Sequence, residues 1–136
     1  MMKITVSPKP QKFALAMEDQ WHIAVGHKIY VGNYIFCVTP HTEQIRISEV
    51  RSGAMLFSVP YSEKLLNQTA NKESAMKLFY RIGGLIEEKI QRVSGFYKQV
   101  VYMSDLSKER LGEKPSECFE HVVISSVENY LYFGKE

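Results

Sequence analysis

The sequence predicts an α+β domain with its strands first: an antiparallel β-meander of four to six strands packed against one long helix, with one or two C-terminal strands. Three observations lead there. Up to Val59 the apolar residues come in short, alternating runs broken by Gly, Pro and polar turns. From Lys72 to Val93 they recur at spacings of three and four, the rhythm of one helix face. Beyond Gly95 β-branched and aromatic residues return.

The strands follow in order. Lys3-Ile4-Thr5-Val6 alternates and is stopped by Ser7-Pro8-Lys9-Pro10, whose prolines remove ladder donors. Phe13, Leu15 and Met17 alternate with Ala14 and Ala16, and Glu18-Asp19-Gln20 turns the chain. Trp21, Ile23 and Val25 then share one face, opposite His22 and Ala24. Gly26 marks a bulge or the end of that strand before Ile29 and Val31. Gly32-Asn33 is a two-residue hairpin signal. The return strand, Tyr34 to Val38, is apolar on both faces, which predicts a central position with material on both sides; Pro40 closes it. Gln44 to Val50 points Ile45 and Ile47 inward and Arg46 and Ser48 outward, and Ala54 to Val59 ends the meander at Pro60. Neighbouring strands are expected to pair, because short turns join them.

Residues 61–71 form a connector with room for one helical turn. Asn71 is an N-cap and Glu73 suits the first turn of the helix over 72–93, about 33 Å long. Gly83-Gly84 in its middle costs roughly 1 kcal/mol per glycine relative to alanine, which points to close approach of the helix backbone to a neighbour or, alternatively, to a kink or a split into two shorter helices. Ser94-Gly95 ends it. Phe96 to Met103 leans toward strand by composition, although Phe96 and Val100 also fit helical spacing; Ser104 or Asp105 caps a short helix to Leu111, ended by Gly112. His121 to Ser125 and Tyr130 to Phe133 read as two final strands.

Composition narrows function by elimination. With 136 residues, 45% hydrophobic and 24% charged, the chain suits a single α+β domain over 1–136. No apolar stretch reaches the ~18 residues of a membrane span, and the N-terminus lacks the apolar region of a signal peptide, so a cytoplasmic setting without membrane contact is expected. Two cysteines, Cys37 and Cys118, give no disulfide framework. A net charge of +2 does not by itself imply a polyanionic partner.

Motifs for chemistry are weak. His22, His27, Cys37 and His41 are the best metal candidates, but they lack C-x-x-C or H-x-x-x-H spacing; a buried thiol and separate histidines are expected instead, with no cofactor. Cys37 in an apolar strand is inert, and Cys118 near His121 makes only a loose pair. No nucleophile elbow and no phosphate loop is present, so no catalytic residue is assigned.

These observations favour a small non-enzymatic binding or regulatory protein acting through protein–protein contacts, of the type found among accessory proteins of phages and mobile elements. Its partner surface is expected at Tyr130, Leu131, Tyr132 and Phe133, where three aromatics in four positions invite docking or homodimer formation. The alternative is a nucleic-acid-binding module. Lys77 and Arg81 share the outer helix face, Arg46 and Arg51 lie on or beside one strand, and the sheet-then-helix order resembles in outline the three-stranded DNA readers of recombinases. A small-ligand protein or enzyme is the third class.

Overall fold

Six antiparallel strands form a sheet that curls until its first edge meets its last turn, and three helices follow. The computed structural model describes residues 1–116. The strands are β1 (Ile4–Val6), β2 (Gln11–Ala16), β3 (Trp21–Val31), β4 (Tyr34–Pro40), β5 (Gln44–Glu49) and β6 (Met55–Pro60). The helices are α1 (Glu63–Gln68), α2 (Lys72–Arg92) and α3 (Phe96–Leu111).

Consecutive strands from β2 to β6 pair as neighbours. β1 does not pair with β2. The Pro8-Pro10 break lets β1 continue along the same edge of β3, so β2 pairs with Trp21–Gly26 and β1 with Ile29–Val31. β3 therefore runs unbroken through Gly26 rather than ending there. A Cβ on Gly26 would overlap the Val38 carbonyl oxygen, so glycine is required where β3 crosses β4. The curl closes where Ala16 N–H donates to Gly53 O at 2.8 Å and Trp21 packs on Gly53.

Curling creates two cores. Ile29, Val31, Phe36, Val38, Ile45 and Ile47 face the helices and meet Phe79, Ile82 and Ile86 of α2. Phe13, Leu15, Ala24, Cys37 and Val50 fill the concave side. β4 contributes to both, as its two apolar faces require. The same curl corrects the facing of β5. Arg46 and Ser48 are buried rather than outward, because the end of β2 and the 52–54 turn lie across that side. On β3, Ala24 is the buried neighbour and Ile23 stays 45% exposed.

The helical half is richer than one long helix. Ser62 caps α1 by accepting from Leu65 N–H, and Asn71 caps α2 by accepting from Ser74 N–H at 2.9 Å. Gly95, in the left-handed region, separates α2 from α3. The strand leaning over 96–103 is overturned. Phe96, Val100 and Ser107 fall on one buried helical face, so one continuous helix replaces the expected strand and short helix. The two C-terminal strands lie outside the described residues.

Candidate functional site

Helix α3 is anchored to the sheet at its two ends and sparsely packed between them. At its N-terminal end Phe96 meets Tyr34 edge-on, with centroids 4.9 Å apart. At the far end Arg110 Nη2 donates to Met17 O at 2.9 Å, and Trp21 Nε1 donates to Gly112 O at 3.3 Å. Only Phe96, Val100 and Ser107 are fully buried, and Tyr97, Tyr102 and Leu106 stand 58%, 63% and 40% exposed.

A cleft of about 670 Å³ opens beside the first half of α3. Its walls are Tyr34 and Ile35 after the β3–β4 turn, Val50 and Arg51 after β5, and Tyr97 and Val100 of the helix. Arg51 lies over the Tyr97 ring, 5.8 Å from its centroid, and Nη1 donates to the Tyr97 hydroxyl at 3.4 Å. That hydrogen bond, and then the charge interaction with Tyr97, hold the guanidinium above its ordinary value. Lys114 Nζ donates to Val50 O at 2.9 Å across the same cleft. Glu49 also lines it, but its carboxylate accepts from Arg51 N–H and Ser52 N–H at 2.9 and 2.7 Å and so braces the turn. Aromatic faces with flanking cations suit contact with an apolar or aromatic group carrying negative charge. A second, smaller cleft of about 390 Å³ lies beside the other half of α3, with Arg46 and Arg110 in its wall.

The four basic residues named as candidate nucleic-acid contacts sit in different surroundings. Arg46 is buried, and burial lowers its guanidinium below the ordinary value. Arg51 belongs to the large cleft. Lys77 and Arg81 are exposed on α2, with Lys77 Nζ 3.9 Å from Glu73. Tyr130, Leu131, Tyr132 and Phe133 lie outside the described residues. Tyr97 and Lys114 were not singled out by sequence. The available signal was the helical recurrence Phe96, Val100, Ser107, Leu111, which the apparent cap at Ser104-Asp105 obscured.

The metal candidates separate. His22 and His41 are 6.2 Å apart by ring centroid, His27 packs on Phe79, and Cys37 sits in the concave core. Among the described residues no three His, Cys, Asp or Glu side chains converge as a metal site, and no helix is long and apolar enough to cross a membrane. No family model, curated protein or solved structure matches the chain.

Proposed function

We propose that this chain is a non-enzymatic binding protein that contacts another protein through α3 and the larger cleft. The observation that carries the reading is the exposure of Tyr97 and Tyr102 on a sparsely packed helix, beside a cleft walled by Tyr34 and Arg51. Tyrosine and arginine concentrate binding energy at protein interfaces, tyrosine by burying large area at low entropic cost and arginine by its several hydrogen-bond donors. The proposal extends to the C-terminal residues Tyr130 to Phe133 as a second part of the contact surface and to a cytoplasmic setting.

A photo-reactive side chain placed at Tyr97 or Tyr102 tests it in the native host. A covalent adduct of one defined mass at these positions, and none from exposed Lys9, is the expected result. Equal labelling at Lys9, or no adduct from α3, overturns it. Deleting 129–136 separates the tail's part: lost adduct with unchanged melting assigns it to the interface, and an unchanged adduct removes it. Light scattering on the purified chain shows whether the partner is a second copy.

The second reading, nucleic acid, draws on the pairing of Arg51 and Lys114 with Tyr34 and Tyr97, since bases stack on aromatic rings flanked by cations. Fluorescence anisotropy with mixed single-stranded DNA and RNA at two salt concentrations decides it. Salt-sensitive binding lost in Tyr97→Ala supports this reading, and no binding at low salt ends it.

A further inference from the structure

Arg46 is 7% exposed, yet no carboxylate among the described residues lies within ion-pairing reach of it. Its partners are neutral. Nε donates to Ser48 Oγ at 2.8 Å, and Nη2 donates to Gly53 O at 2.9 Å and Ala16 O at 3.2 Å. Nη1 carries two hydrogens and makes one bond among the described residues, to the Met17 thioether at 2.9 Å. A thioether is a weak acceptor, and a buried charge without a counter-charge is costly.

That under-used end of the guanidinium lies in the wall of the smaller cleft. Arg110 lines the same cleft and also grips Met17, by its carbonyl oxygen. Two guanidinium groups therefore bracket one methionine whose flexible side chain can be displaced. The remaining wall is soft and apolar, from Met55, Met103 and Leu106, with Ser107 between them. The apolar lining suits a short hydrocarbon chain, and a carboxylate has one oxygen for Nη1 of Arg46 and one for Arg110. Glu18 on the cleft wall opposes an anion and so limits affinity.

We propose that the smaller cleft beside α3 binds a small amphiphilic carboxylate, its head replacing the Met17 thioether on Arg46 and contacting Arg110, its chain lying along Met55, Met103 and Leu106. This site is separate from the larger cleft and stands or falls independently of the proposed protein contact.

Titration calorimetry on the full chain tests it with octanoate, octyl phosphate, octanol and acetate. Saturable one-to-one binding of octanoate, with octanol and acetate at least about tenfold weaker, is expected, since each lacks one half of the recognition. Octyl phosphate tighter than octanoate overturns the carboxylate assignment. Equal binding of octanol, or none of octanoate at millimolar concentration, overturns the site and leaves Arg46 as a brace between β2 and the 52–54 turn. Arg110→Gln, at an exposed position, should weaken octanoate about tenfold, and Glu18→Gln should tighten it. Arg46→Met should abolish binding. Should that variant not fold, Arg110→Gln and Glu18→Gln still decide, and unchanged affinity in both refutes the proposal.

Discussion

A Cβ on Gly83 would stand 2.5 Å from Cγ2 of Ile4, whereas one on its neighbour Gly84 would meet nothing within 4 Å. The first glycine lets α2 lie directly on β1; the second has no such duty. Gly83→Ala should therefore lose stability, because overpacking costs roughly 1–3 kcal/mol against a helix-propensity gain of about 1 kcal/mol. Gly84→Ala should gain about 0.5–1 kcal/mol. Urea denaturation of the two variants reads both signs; stabilisation by both would show that β1 yields freely.

Ile86 is fully buried against the sheet. Ile86→Asp places a carboxylate without a partner there and should abolish folding, whereas Ile86→Val should cost about 0.5–1.5 kcal/mol. Circular dichroism and thermal melting distinguish these outcomes. Cooperative melting of the aspartate variant near the wild-type midpoint would contradict the packing of α2.

Acid should weaken the fold through His27. Its Nδ1 lies 2.9 Å from Ser7 O, a group that only accepts, so Nδ1 bears the hydrogen and the neutral ring keeps its lone pair on Nε2. Nε2 is buried and has no hydrogen-bond partner among the described residues. Burial, assisted by the Lys72 charge and opposed by the Ser7 bond, pushes His27 below its ordinary value of 6.5. The unfolded chain takes up the proton first, so stability falls as pH drops below about 6.5, by about 1.4 kcal/mol for each unit of depression once protonation is complete. Burial, then Arg46 and His22, lower His41 in the same direction. Urea midpoints between pH 7.5 and pH 5 should decline, and His27→Gln should flatten the slope.

Gly26→Ala is expected to disrupt the sheet, since the clash falls on the Val38 main chain and not on a side-chain tip. A loss above about 3 kcal/mol or insolubility is the outcome anticipated. A soluble variant with native melting would mean that β3 and β4 separate more easily than their register implies.

The meander and α2 were legible because their periodicities are local properties of the chain. Alternation marks a half-buried strand, and spacing of three and four marks a helix laid on it. What sequence missed was set by distant contacts. Arg46 reads as an outward residue on β5 until the end of β2 and Gly53 close over it. Ala24 reads as a minor residue until the curl gives β3 a concave side. Helix α3 was obscured because its buried face is narrow and includes Ser107, leaving a weak hydrophobic signal. The larger cleft joins residues near 34, 50, 97 and 114, which no local pattern connects.

The eleven residues of β3 pair with three other strands, and β3 supplies side chains to both cores. Opening of the concave side is therefore expected to disturb the helix-facing side through the one strand they share. Amide hydrogens on β2 and on the centre of β4 should exchange at one common rate, set by global unfolding. Helix α3 contributes no strand to this unit and buries few side chains, so its amides should exchange earlier, while the sheet remains intact. The element that carries Tyr97 and Tyr102, the two most exposed tyrosines among the described residues, is thus the one expected to come away before the sheet unfolds.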